Sequence, residues 1–239
     1  MTEAEWLTST DPEAMLHGLL ERPEGWRERL GYSDRKLRLF ACGCVRAWSP
    51  RRVEAALVPQ VEAMADRGVS DEDYEALDFL LRGSGATWAR WWAANQIGER
   101  GGKAALLRCI VGNPWGPVPA LWESYVLEDG EGNSMTCRKW YVTPAVAAIA
   151  RTIYDENRWG ELGVLADALE EAGCEGEAAC PSCRGVIPAG ARELHDHGLL
   201  WCVNCEDVGR IPHPLLAHLR GPEPHARGCW AVDLVLGKE

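Results

Sequence analysis

The amino-acid sequence predicts a mainly α protein: an irregular multi-helix bundle with one small cysteine-rich β segment and a β-hairpin near residues 120–142. Apolar residues recur with the period of an α-helix through most of the 239 residues, which favours amphipathic helices around a shared core. Capping residues stand ahead of these apolar stripes, and Gly or Pro follows them. Two cysteine pairs interrupt this pattern late in the chain.

Several helix starts are predicted from their capping residues. Thr2 and Glu5 have the spacing of a capping box, in which each side chain accepts a hydrogen bond from the other residue's backbone N–H. Asp11 and Thr143 each precede a proline, which suits the first turn of a helix. Each of these signals is followed by an apolar stripe, so we expect a packed helix after each of them.

A further helix is predicted after Ser33, and its apolar face should lie in the core. The residues on that face are Leu37, Phe40, Ala41, Cys44, Val45 and Trp48. Cys42 and Cys44 are two positions apart, so on a helix they point in different directions and are expected to be small core residues. Pro59 lies inside the next predicted helix and is expected to kink or divide it.

Residues 120–142 have a different pattern. Asp129-Gly130 and Gly132-Asn133 are turn dipeptides, and strand-forming residues stand on both sides of them. This arrangement is typical of a β-hairpin.

Four cysteines carry the clearest chemistry in the sequence. Cys180 and Cys183 form one Cys-x-x-Cys pair, Cys202 and Cys205 form another, and eighteen residues separate the pairs. Each pair supplies half of a tetrahedral thiolate site, and this separation leaves room for a short hairpin between the halves. The sequence therefore predicts a zinc ribbon that holds one structural Zn²⁺ ion.

Other interpretations of the cysteine pairs are weaker. Disulfides would suit a secreted protein, and no signal peptide is visible at the N-terminus. A redox Cys-x-x-Cys motif needs a βαβ context, which the sequence does not predict here. His195 and His197 lie between the pairs and could replace a cysteine or bind a second metal, although a solvated loop explains them more simply.

The expected domain organisation follows from the position of the ribbon. Residues 1–177 should form a helical body, residues 178–210 an inserted zinc ribbon, and residues 211–239 a C-terminal helical segment that packs back on the body. The helical patterns on the two sides of the insertion are expected to be neighbours.

The net charge and the cysteine content indicate which partners and which cellular compartment to expect. The formal net charge of −11 disfavours non-specific binding to nucleic acid or to an anionic membrane. No apolar run is long enough to predict a transmembrane helix. Ten cysteines without a visible secretion signal suggest a reducing cytoplasm, where thiols stay free or bind metal.

Five sequence blocks resemble, as a set, a large family of bacterial paralogues of uncharacterised function. The blocks are MTEAEWLTSTDPEAML, SDRKLRLFACGCVR, AALLRCIVGNPW, IYDENRW with LGVLADALEEAGC, and LLAHLRGPEPHARGCWAVDLVLGKE. The resemblance implies a helical scaffold and a bacterial origin, and it implies no activity or catalytic residues. In the family pattern the EEAGC block runs directly into LLAHLRG, whereas here the cysteine pairs lie between them.

Three functions remain open from the sequence. A Cys₄ site is coordinatively closed, so we expect a non-catalytic interaction or scaffold module whose partner is another protein. A nucleic-acid-binding ribbon is the alternative, although three arginines oppose four acidic residues between Arg184 and Arg210. Whether the protein is an enzyme stays uncertain, and the candidates near the metal would be His195, His197 and His213.

Overall fold

The computed structural model describes residues 1–21, 33–48, 53–68, 70, 89, 100–115, 121–128, 134–179, 210–222 and 224–238. Helices account for most of these residues, which confirms the mainly α prediction. The α-helices are α1 Glu3–Thr8, α2 Pro12–Leu20, α3 Asp34–Trp48, α4 Val53–Arg67, α5 Arg100–Val111, α6 Pro144–Glu156, α7 Leu162–Glu171, α8 Pro214–Leu219 and α9 Trp230–Leu236. The strands are β1 Trp122–Glu128, β2 Ser134–Trp140, β3 Glu177–Ala179 and β4 Arg210–Pro212, and a 3₁₀ turn spans Trp159–Glu161.

The chain divides into two compact units. The first unit comprises Met1–Trp115, Tyr154–Trp159 and Pro222–Glu239. The second comprises Gly116–Ile153 and Gly160–Gly221. None of the described helices is long and apolar enough to cross a lipid bilayer.

In the first unit, α3 packs against α4 and α5, and α5 also contacts α2 and α9. Trp6 of α1 is fully buried in this core, and its ring centroid lies 5.7 Å from that of Trp115. Its indole Nε1–H donates to the Gly112 carbonyl at 3.1 Å, so the one polar atom of this side chain is satisfied inside the core. Other core residues are Met15, Leu16, Leu19, Leu37, Phe40, Val45, Met64, Leu107 and Ile110.

The predicted helix caps are confirmed. The Thr2 N–H donates to Glu5 Oε2 at 2.7 Å, and the Glu5 N–H donates to Thr2 Oγ1 at 3.3 Å. Asp11 Oδ1 accepts from the first two free N–H groups of α2 at 3.0 and 3.3 Å. Thr143 caps α6 in the same way, with a distance of 3.2 Å from its Oγ1 to the Val146 nitrogen. These side chains satisfy helix N–H groups that have no carbonyl partner within the helix.

The structure also tests two expectations about single residues of the first unit. Cys42 and Cys44 are buried, as expected for small core residues. Pro59 lies inside α4, which runs unbroken from Val53 to Arg67, so the expectation that this proline divides the helix is wrong.

In the second unit, β1 and β2 pair antiparallel from Trp122 opposite Trp140 to Glu128 opposite Ser134. The predicted β-hairpin is therefore confirmed. Helix α7 packs against α8. The guanidinium of Arg220, just after α8, donates to Glu170 at 2.7 Å and to Asp167 at 2.6 Å on α7.

Strands β3 and β4 form a second antiparallel pair in this unit. Glu177 lies opposite Pro212, and Ala179 lies opposite Arg210. The two described residues on either side of positions 180–209, Ala179 and Arg210, therefore lie next to each other.

Candidate metal centre

Three side chains of the first unit form a compact group of metal-ligand type. Each of Cys109, His225 and Cys229 offers one ligand atom, and these atoms all lie within 4.8 Å of one another. The Cys109 Sγ is 3.5 Å from the Nδ1 of His225, although the two residues are 116 positions apart in the sequence. The fold therefore brings two thiols and an imidazole together from distant parts of the chain.

Helix α5 supplies Cys109. Its apolar residues Leu106, Leu107 and Ile110 are buried, and Cys109 is fully buried beside them. The helix ends at Val111, and Gly112, which follows it, has a φ of +79° that suits a glycine. A Cβ at Gly112 would lie 3.2 Å from the ring of Trp230, so the end of α5 approaches the start of α9 closely.

The other two candidate ligands lie in the segment that leads into α9. Cys229 is the N-cap residue of α9, and its own N–H donates to the Ala226 carbonyl at 2.9 Å. Gly228, just before it, has a φ of +92°. A Cβ at Gly228 would lie 2.9 Å from Leu39 Cδ1, so this turn requires glycine both for its backbone conformation and for space. The side chain of Cys229 is thereby held in the buried interior.

Burial differs across the group. Cys109 and Cys229 are fully buried, whereas His225 is half-buried. The thiols therefore form the inner side of the group and the imidazole forms its solvent-facing side.

A network of buried charges surrounds the segment that carries His225 and Cys229. Lys36 donates to the carbonyl of Gly228 at 2.7 Å and also contacts the carboxylate of Asp233. Arg227 donates to Asp66 at 2.9 Å and to the Tyr154 carbonyl at 3.0 Å. These contacts hold the backbone on both sides of Cys229.

Arg35 connects the two carboxylates of this network. Its guanidinium donates to Asp233 at 2.8 Å and to Asp66 at 2.8 Å. Burial opposes its charge, but the hydrogen bonds and negative charge of Asp233, together with Asp66, raise the pKa of Arg35 above its ordinary value. Burial and the hydrogen bond that Tyr154 donates to Asp66 raise the pKa of Tyr154, so its hydroxyl keeps its proton.

The donor set fits a thiophilic metal ion. Thiolate and imidazole are ligands that suit zinc, whereas magnesium and calcium prefer oxygen donors. Two cysteines and a histidine at these separations could therefore hold a metal ion such as zinc. His218 belongs to the second unit and stands seven positions before His225 in the sequence.

The cysteines predicted to form a zinc ribbon lie outside the described residues, as do His195 and His197. His213, the third histidine expected near the zinc ribbon, is among the residues that the structure describes. It is the N-cap residue of α8 in the second unit, and its backbone N–H donates to the Gly176 carbonyl at 2.9 Å. Its side chain is buried, which lowers its pKa, and its Nδ1 has no hydrogen-bond partner among the described residues.

Cys109, His225 and Cys229 are not among the metal ligands that the sequence predicts. They stand in the blocks AALLRCIVGNPW and LLAHLRGPEPHARGCW, which predict helices and carry the family resemblance. The available signal was the spacing His218-x₆-His225-x₃-Cys229, which puts three possible ligands within twelve residues. No sequence pattern links this segment to Cys109, because that approach depends on the packing of α9 against α5.

Comparison with known proteins does not extend this description. No family model, no curated protein and no solved structure matches the chain.

Proposed function

We propose that the chain is a non-catalytic protein-interaction or scaffold module whose helical fold is stapled by zinc. The observation that carries this proposal is the group of Cys109, His225 and Cys229, whose ligand atoms lie within 4.8 Å of one another. A zinc ion at this group would join α5 to the start of α9 and so fix the C-terminal segment of the first unit.

Zinc is proposed because of the donors. Thiolates bind zinc at about 2.3 Å and imidazole nitrogens at about 2.0–2.1 Å, and both occur together in structural zinc sites. The cysteines must lose their protons on binding, so metal affinity should rise with pH. The burial of Cys109 and Cys229 also suits a structural zinc ion, because water has little access to the two thiolates.

Cys109, His225 and Cys229 supply three of the four protein ligands that a structural zinc site takes. His225-x₃-Cys229 has the short spacing typical of a pair of zinc ligands. A structural role requires a fourth protein ligand, which closes the shell and leaves no position for substrate or for a reactive water molecule.

The zinc ribbon of Cys180, Cys183, Cys202 and Cys205 remains part of this proposal as a second, separate zinc site. Its support is the spacing of the two Cys-x-x-Cys pairs. Both sites would then serve stability and shape, and the function would lie in a surface that binds another protein. The net charge of −11 supports a protein partner over nucleic acid.

Metal analysis of the purified protein tests the two sites separately. We expect about two zinc ions per chain in the wild type and about one in each of two double variants, Cys109→Ser/Cys229→Ser and Cys180→Ser/Cys205→Ser. Cys42→Ala is the matched control, because it removes a buried thiol outside both groups and should keep both ions. An unchanged zinc content in Cys109→Ser/Cys229→Ser would contradict a site at these residues.

Binding to labelled nucleic acid separates the scaffold proposal from its alternative. At low salt, where phosphate contacts are strongest, we expect no change in fluorescence anisotropy when the zinc-loaded protein is added to DNA or RNA. Salt-sensitive binding to either polymer would favour the nucleic-acid-binding alternative.

A further inference from the structure

We infer that Lys36, Arg35 and Arg227 are positioning residues of the metal centre, which hold the segment 225–233 in its ligating arrangement before any metal arrives. This inference rests on the proposed zinc site and adds the reason why the site is pre-formed. Their side chains contact a backbone carbonyl and carboxylates close to the candidate ligands, so we infer that they act through these groups.

Lys36 clamps both sides of Cys229. Its ammonium group donates to the carbonyl of Gly228, the residue before the ligand, at 2.7 Å. It also contacts the carboxylate of Asp233, and the Asp233 N–H donates to the Cys229 carbonyl at 2.9 Å. The Lys36 and Asp233 side chains are only 5% and 2% exposed, so water does not compete for this pair.

Arg227 holds the middle of the segment, two residues from each of His225 and Cys229. Its guanidinium donates to Asp66 of α4 and to the backbone carbonyl of Tyr154. The same group lies over the Tyr154 ring, 4.4 Å from its centroid, which adds a cation–π contact. Arg227 therefore holds the chain between His225 and Cys229 through Asp66 and Tyr154, whereas Lys36 acts through Gly228 and Asp233.

Arg35 connects the contacts of Lys36 with those of Arg227. It donates to Asp233, which Lys36 also contacts, and to Asp66, which Arg227 also contacts. The buried Asp233 and the partly buried Asp66 thus have at least two cationic partners each, which compensates for the loss of water around them. Because the network is continuous, the segment should keep its conformation when the metal is absent.

The chemical consequence concerns metal affinity. A pre-formed site does not have to order its ligands when the ion binds, so less binding free energy is lost. Groups behind the ligands typically change metal affinity by about 10–100-fold when they are removed. We expect an effect of this size from Lys36, although it touches backbone rather than an imidazole.

The test uses the 239-residue chain with Cys180, Cys183, Cys202 and Cys205 changed to Ser, so that zinc has one proposed site. Zinc affinity is measured at fixed pH by competition with a chromophoric chelator. Lys36→Met should raise the dissociation constant about 10–100-fold, and Lys36→Arg should restore most of the affinity. Substitution with cobalt gives a second measurement, because Lys36→Met should weaken the visible absorption bands of a tetrahedral thiolate site.

Arg38→Met is the matched control. Arg38 is a buried cation on the same helix, and its side chain pairs with Asp34. This partner lies outside residues 225–233, so the loss of Arg38 should leave the zinc affinity within about twofold of the parent. Equal weakening in Lys36→Met and Arg38→Met would overturn the positioning role, because it would show a general effect of stability.

Other outcomes are also decisive. If the parent chain binds no zinc, both the proposed function and this inference fail. If the parent binds zinc and folded Lys36→Met binds it within about twofold as tightly, only the positioning role fails. If Lys36→Met does not fold, Arg227→Gln is measured in its place, because the Arg227 side chain is more exposed than that of Lys36. A tenfold weaker zinc affinity in Arg227→Gln supports the inference, and an unchanged affinity overturns it.

Discussion

Asp66 is a residue of the first unit at which several charged groups meet. Its carboxylate accepts hydrogen bonds from Arg35, Tyr154 and Arg227, and Lys238 lies 3.6 Å away. Burial opposes its charge, but the hydrogen bonds from Tyr154 and Arg35 and the positive charges around it lower the pKa of Asp66 below its ordinary value. Its ionised form therefore stabilises the folded state.

This shift predicts a pH dependence of stability with a definite sign. Because the folded-state pKa of Asp66 is below the unfolded value of about 3.9, its contribution is complete above that value and is lost as pH falls through the folded pKa. Asp66→Asn should therefore lose less stability than the wild type between pH 7 and pH 3. Urea unfolding at the two pH values measures this. The same loss in both proteins would contradict the prediction.

Trp6 gives a second prediction for a single residue. It is fully buried, contacts Trp115 and donates its indole N–H to Gly112. Trp6→Ala should lower the free energy of unfolding by about 3–5 kcal/mol, because it leaves a cavity and an unsatisfied carbonyl. Leu7→Ala is the control next to it, since Leu7 is 51% exposed and its loss should cost less than about 0.5 kcal/mol. Similar costs for both variants in denaturant titrations would argue against the buried position of Trp6.

Among the elements, those with local sequence signals were predicted well. Asp11 and Thr143 cap the helices that they precede, and the turn dipeptides near Gly130 stand between two paired strands. Pro59 does not divide α4, because packing of α4 against α3 outweighs the local preference of one proline. The approach of Cys109 to His225 and Cys229 could not be predicted, because it depends on tertiary packing of α5 against α9.

The pairing of β3 with β4 predicts that residues 180–209 can be removed. Ala179 and Arg210 lie opposite each other, which is the geometry that a two-residue turn joins in a β-hairpin. Replacement of residues 180–209 with Asn-Gly should therefore keep the helical circular dichroism spectrum and a cooperative unfolding transition. Loss of cooperative unfolding would show that the remaining chain depends on the excised residues.

For the whole molecule, the proposed zinc at Cys109, His225 and Cys229 makes stability depend on metal. An ion that binds only the folded state adds about 2.7 kcal/mol when its free concentration is 100 times its dissociation constant. A strong chelator should therefore lower the midpoint of thermal unfolding, and added zinc should restore it. The chelator should have little effect on a variant that lacks Cys109, Cys229 and the four ribbon cysteines, and an equal effect on that variant would contradict metal linkage.

Zinc K-edge X-ray absorption tests most directly whether Cys109, His225 and Cys229 bind zinc. The sample is the 239-residue chain in which Cys180, Cys183, Cys202 and Cys205 are Ser. We predict one zinc ion with two sulfur ligands at about 2.3 Å and at least one nitrogen ligand at about 2.0–2.1 Å. A spectrum with oxygen and nitrogen ligands only, or a protein that retains no zinc, would contradict the proposed centre.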